Sequence, residues 1–90
     1  MNELNLIGLR VFCHIVDFGS FTAAADHLGM APPMVSKHLG RLERHLGARL
    51  LNRTSRRMSL TEVGTLFLEQ ARRALDALDA GVALAGRSSE

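Results

Sequence analysis

Apolar residues recur along this chain in four phased stretches separated by glycine and proline. Leu6, Leu9, Phe12, Cys13 and Val16 recur at about one helical turn and predict a first helix over Asn5 to Asp17. Gly19 ends it. Ser20 is suited to cap a second helix, Phe21 to Leu28, rich in alanine (Ala23, Ala24, Ala25) and stopped by Gly29. Met30 and Ala31 make a short connection. Pro32 and Pro33 then fit the first turn of a third helix, where a missing amide proton is harmless. That helix runs to Leu46 and Gly47 stops it. Its apolar members Leu39, Leu42 and Leu46 lie within about 40° of Val35 on a helical wheel.

After Gly47 the period changes. Arg49 to Asn52 and Arg57 to Leu60 read as two short extended segments joined by the polar stretch Arg53-Thr54-Ser55-Arg56, a hairpin pattern. Thr61 caps a long last helix that begins with Glu62, an acid well placed at a helix N-terminus. Leu68, Ala71, Leu75, Leu78, Val82 and Ala85 repeat there at spacings of three and four, a coiled-coil-like seam. The predicted fold is mainly α: three helices, a short β-hairpin and a long final helix.

Charge changes the picture more than composition does. The 90 residues suit one small domain, 47% of them are hydrophobic, and the net charge is +2. Yet seven of the eleven Lys and Arg residues fall between Lys37 and Arg57, with Glu43 the only acid among them. That segment carries +6, and each flank carries −2. Concentrated positive charge beside a compact apolar unit is the footprint of a polyanion binder. The charge is also phased: Pro33, Lys37, Gly40, Arg41 and Arg44 lie about 140° to 240° from Val35, opposite the apolar face. With no Trp and no Tyr, the chain lacks the usual stacking platform for single strands. The single cysteine, Cys13, forms no internal disulfide and sits on an apolar helical face. No apolar run approaches a membrane span and no signal-peptide pattern opens the chain, so a cytoplasmic setting is expected.

The second and third helices, joined at Gly29 with Ala25 as the small residue where they approach, make a helix-turn-helix candidate. Double-stranded DNA is then the expected partner. The exposed first turns of the third helix present Pro32, Pro33, Met34, Ser36 and Lys37 to the major groove; Lys37 can donate to guanine, and Met34 and the prolines offer apolar contacts. Ser20, Thr22, His38 and Arg41 suit phosphate oxygens. The hairpin residues Arg53, Thr54, Arg56 and Arg57 suit the flanking backbone or a narrow minor groove. Arg44 and Arg49, late in the unit, read as surface or ion-pair residues, and Glu43 as a structural partner for a neighbouring arginine.

The stretch Gly19-Ser20-Phe21-Thr22-Ala23-Ala24-Ala25, then Pro33, Val35-Ser36, Leu39, Leu42-Glu43, Leu46-Gly47, Leu50-Leu51-Asn52-Arg53, and finally Leu60-Thr61 with Gly64 resembles the N-terminal domain of LysR-type transcriptional regulators. The resemblance spans roughly Leu4 to Ala74. It implies a winged helix-turn-helix DNA-binding domain over residues 1–60, with the helix-turn-helix at about 20–44 and the wing at about 49–60. It also implies a linker helix over residues 61–90 that dimerises. An effector-binding domain would lie outside this chain, so any small-molecule effector would act only through that missing part, and a tetramer is possible in the full-length protein. Ala31 departs from the family's usual capping Ser, Pro32 from a Gln able to read a base edge, Ser55 from a wing Gly, and Lys37 from an Arg with bidentate geometry.

The last helix has two readings. Its seam can pack on the first helix or pair with a second copy, and Leu68, Ala71, Leu75, Leu78 and Val82 are the candidate dimerisation residues. The competing functional class is a protein-interaction module whose last helix is the working part. No cofactor is expected. His14, His27, His38 and His45 have no metal-site spacing, and no catalytic constellation emerges, so neither a metal site nor an enzyme is expected.

Overall fold

A computed structural model describes residues 4–53 and 58–88. Helix α1 spans Leu6–Phe18, α2 Phe21–Leu28 and α3 Pro32–Leu46; strands β1 (Leu51–Asn52) and β2 (Ser59–Leu60) follow, and α4 spans Glu62–Ser88. The helix bounds follow local signals. Asn5 lies outside α1 as its N-cap, its side chain accepting the Ile7 N–H at 2.8 Å. Ser20 Oγ accepts the Ala23 N–H at 3.0 Å and starts α2. Gly19, Gly29 and Gly47 close α1, α2 and α3 in the left-handed conformation, with φ of 75°, 69° and 70°, which a side chain would resist. Ala31 makes no side-chain cap at the start of α3.

The strands are shorter than the sequence pattern predicts. Leu51 pairs with Leu60 and Asn52 with Ser59, antiparallel. Arg49 and Leu50 stay outside the ladder because other groups take their backbone atoms. The Leu50 N–H donates to the Glu43 carboxylate at 2.7 Å. The Leu50 carbonyl accepts the Thr61 N–H at 3.0 Å, and the Arg49 carbonyl accepts the Thr61 hydroxyl at 2.6 Å. Arg57, the expected start of the second strand, lies outside the described residues.

One core joins all three layers of helices. Val11, Phe12 and Ile15 of α1, Ala24 and Ala25 of α2, Val35 and Leu39 of α3, and Leu50 and Leu51 beside the wing are essentially inaccessible. Phe67 of α4 sits 6.1 Å, ring to ring, from Phe12. Helix α4 runs antiparallel to α1, with Arg72 bonded to Asp17 at 2.6 Å and Arg10 to Asp79 at 2.9 Å. Of the two readings of the last helix, packing on α1 accounts for the first part of the seam. Ala71 and Leu75 are 2% and 6% exposed, and Leu68 packs against the same core, so α1 already covers them. The seam continues past this buried part alongside the N-terminal half of α1, where Leu78 and Val82 are 41% and 64% exposed. No described helix is long and apolar enough to cross a membrane.

Candidate nucleic-acid interface

Helix α3 is held by its apolar side and free on the other. Val35, Leu39 and Leu42 are buried, whereas Pro32, Pro33, Met34, Ser36, Lys37, Arg41 and Arg44 are exposed. None of Lys37, Arg41 and Arg44 has an ion-pair partner among the described residues. The first two turns offer one cation, one hydroxyl and a patch of apolar groups. Pro32 and Pro33 have no amide proton and the Met34 N–H already donates to the Ala31 carbonyl at 2.9 Å, so the start of α3 meets a partner through its side chains rather than through free backbone donors.

The remaining expected contacts divide. Thr22 is exposed beside the α2 N-terminus. Ser20 is half-buried and its oxygen already serves as the cap, which leaves only its hydroxyl proton to donate. His38 is half-buried with Nδ1 inaccessible and unpartnered, so Nε2 is the nitrogen it can offer a phosphate. Thr54, Arg56 and Arg57 lie outside the described residues.

Arg53 differs from the free arginine the sequence suggests. Its Nη2 bonds Glu43 Oε1 at 3.2 Å, and its guanidinium lies 5.5 Å from the centre of the Phe21 ring. One side chain thus ties the start of the wing to both helices of the helix-turn-helix. Glu43, 6% exposed, is the hub: it accepts the Leu50 N–H and Arg53, while Arg49 Nε stands 3.8 Å away. Sequence reasoning identifies Glu43 as an arginine partner; its backbone bond to Leu50 is visible only in three dimensions. Between α3 and the wing lies a groove of about 500 Å³ bordered by Gly40, Arg44, Gly47, Arg49 and Arg53 above Glu43, and sequence reasoning gave no sign of it.

The wing is fastened to α4 by Thr61. Its hydroxyl accepts the Gly64 N–H at 2.9 Å while donating to Arg49, and its backbone holds Leu50. Gly64 packs so closely that a Cβ would lie 3.0 Å from the Leu50 carbonyl carbon and nearer still to its oxygen. Among the described residues no three His, Cys, Asp or Glu side chains gather as a metal ion would require. Cys13 is buried, and burial pushes its thiol pKa up.

The arrangement defines a winged helix-turn-helix: an exposed basic helix beside a short hairpin on a three-helix core. The profile of a family described as "Bacterial regulatory helix-turn-helix protein, lysR family" matches residues 6–65, and this chain belongs to that family of transcriptional regulators. It is 47% identical to the HTH-type transcriptional regulator PtxR of Pseudomonas aeruginosa over 79 residues, 88% of this chain and 25% of that protein. Against the HTH-type transcriptional regulator CrgA of Neisseria meningitidis it is 47% identical over 72 residues, 80% of this chain and 24% of that one. The chain therefore spans about a quarter of the length of these relatives. Among solved structures, the BenM DNA-binding domain in complex with catB site 1 DNA matches with a TM-score of 0.89 and 37% identity, over 96% of this chain and 97% of that one. The CbnR DNA-binding domain in complex with DNA matches with a TM-score of 0.84 and 30% identity, over 96% and 99%.

Proposed function

We propose that this chain is the sequence-specific, dimeric DNA-binding part of a bacterial transcriptional regulator that works in the cytoplasm and has no enzymatic activity of its own. Helix α3 enters the major groove with Pro32, Pro33, Met34, Ser36 and Lys37 toward the bases. Thr22, Ser20, His38 and Arg41 meet phosphates, and the wing, with Arg53 at its base and Thr54, Arg56 and Arg57 in its connection, follows backbone or minor groove. The observation that carries this reading is the exposed row of cations on α3, opposite the buried face and without acidic partners. The BenM and CbnR domains, similar over nearly their whole length, are described as DNA complexes. The later half of α4, from Leu78 onward, pairs with a second copy and sets the half-site spacing. Response to a small molecule, and any tetramer, belong to parts of the protein beyond this chain.

Selection of bound sites from a random duplex pool, followed by titration across salt concentration, tests this. Affinity should fall steeply with salt, with a slope proportional to the phosphates neutralised. The selected site should be a pseudo-palindrome with half-sites one or more helical turns apart. Salt-independent or absent duplex binding would sink the reading. The exposed Leu78, Val82 and Leu84 favour one alternative, a protein-interaction module built on α4; it predicts self-association without duplex binding.

A further inference from the structure

The groove between α3 and the wing holds more positive charge than the fold uses. Arg44, Arg49 and Arg53 border it, and Glu43 is its one acid. The carboxylate is committed to the Leu50 N–H at 2.7 Å and to Arg53 at 3.2 Å. Arg49 reaches it only at 3.8 Å with a side chain 65% exposed, and Arg44 has no ion-pair partner among the described residues. Two guanidinium groups are thus left facing the groove with little of their charge answered.

Gly40 is the second observation. Glycine in a helix interior is unfavourable, and packing within the chain does not ask for one here: a Cβ on Gly40 would meet only the Arg44 guanidinium, at 3.5 Å, an ordinary contact. The missing side chain instead keeps open the wall of the groove that α3 forms. Lys37, Gly40 and Arg44 also fall on one row of α3, at spacings of three and four. Arg44 lies seven residues beyond Lys37, about 10 Å along the axis, comparable with the width of a major groove, about 12 Å. With Lys37 over base edges, Arg44 stands at the rim, where the phosphates are.

We propose that the groove of Gly40, Arg44 and Arg49 seats a backbone phosphate of the same duplex, on the strand that passes from the major groove under α3 to the wing. Arg44 and Arg49 donate to its oxygens in the fork geometry that suits guanidinium and phosphate, and Gly40 admits the backbone. Arg53, held by Glu43, forms the far wall. The proposal rests on the DNA-binding reading above and gives work to two arginines that the sequence leaves as surface residues.

The test compares the slope of log affinity against log salt for the unaltered protein, Arg44→Ala, Arg49→Ala and Gly40→Gln. Each would be measured on a selected duplex and on a scrambled one, with thermal melts to confirm folding. Each lost phosphate contact should flatten the slope by about 0.9, and the loss of affinity should be equal on both duplexes, because phosphate contacts carry no sequence information. Gly40→Gln should weaken binding while leaving or raising the melting temperature, since glutamine is the better helix former. If the unaltered protein binds with a salt-dependent slope and all three variants keep that slope and affinity, the groove is not a phosphate seat, and DNA binding stands without it. If the unaltered protein itself shows no salt-dependent duplex binding, both fail together. A calorimetric titration of the free protein with inorganic phosphate separates a small-anion site from a backbone seat. Millimolar phosphate saturating the groove of wild type but not Arg44→Ala, with unchanged duplex slopes, would overturn the backbone assignment.

Discussion

The Arg53 guanidinium meets the Glu43 carboxylate at 3.2 Å, so the residue that follows β1 is tied to the last turn of α3 from a distance of ten residues in sequence. Because Glu43 is 6% exposed and also accepts the Leu50 N–H, removing it strands two groups at once. Glu43→Ala should destabilise the domain by about 3 kcal/mol in chemical denaturation. Glu43→Gln, which keeps an acceptor for Leu50, should cost clearly less. Arg53→Ala should weaken every duplex alike, partly by loosening the wing. Equal stability of Glu43→Ala and wild type would show that the hub is dispensable.

Gly64 of α4 lies against the Leu50 carbonyl with no room for a Cβ between them. Gly64→Ala pushes a methyl group into that carbonyl and should cost about 1–3 kcal/mol, the range for overpacking, although alanine is the better helix residue. A melting temperature at or above that of wild type would mean the two segments can part without cost.

Local signals made α2 and α3 legible from sequence to the residue. Ser20, Gly29, Pro32 and Gly47 each act within a turn of their own position, so the pattern along the chain contains them. The wing did not read as well, because what limits its strands is nonlocal: Glu43 takes the Leu50 N–H and Thr61 takes the Leu50 and Arg49 carbonyls. Alternation of residue types carries no trace of those bonds. The basic face of α3 was legible because helical phase alone separates Lys37 and Arg44 from Val35. The groove beside it was not, since Arg44 and Arg49 converge only once α3 and β1 are folded together.

Ala31 leaves the start of α3 without a side-chain cap. Pro32 and Pro33 have no amide proton, so Ala31→Ser can offer its oxygen only to the Met34 N–H, which already bonds the Ala31 carbonyl at 2.9 Å; the gain should stay at the low end for a cap, about 0.5 kcal/mol or less. Thermal melting should therefore rise by no more than about 2–4 °C for a domain of this size. A larger rise would mean that the Met34 N–H gains from a side-chain acceptor what the backbone bond does not supply.

Cys13 is buried, and desolvation raises its pKa; the Arg72 charge opposes that only partly. The sign follows: the unfolded chain gives up the thiol proton first, so the stabilising contribution of the buried thiol is full below the ordinary thiol pKa and is lost as pH climbs from there through the folded value. Stability should therefore fall, as pH rises above the ordinary thiol range of about 8.5, more steeply in wild type than in Cys13→Ala. Parallel pH profiles for the two proteins would remove Cys13 from the titration.

Leu75 and Leu78 lie on one seam of α4 but face different partners. Leu75 is 6% exposed, covered by its own chain, whereas Leu78, one residue before the Asp79 that Arg10 of α1 holds, is 41% exposed. A charge at Leu75 has no route to water, so Leu75→Asp should cost about 4 kcal/mol or more and unfold much of the population in circular dichroism. Leu78→Asp should leave the helical signal and the melting curve of the isolated unit nearly intact, yet yield monomers in sedimentation. DNA affinity should drop with it, because two half-sites held by one dimer bind as a linked pair. A Leu78→Asp protein that still sediments as a dimer would exclude the late seam of α4 as the interface, and the second copy would then have to be held elsewhere.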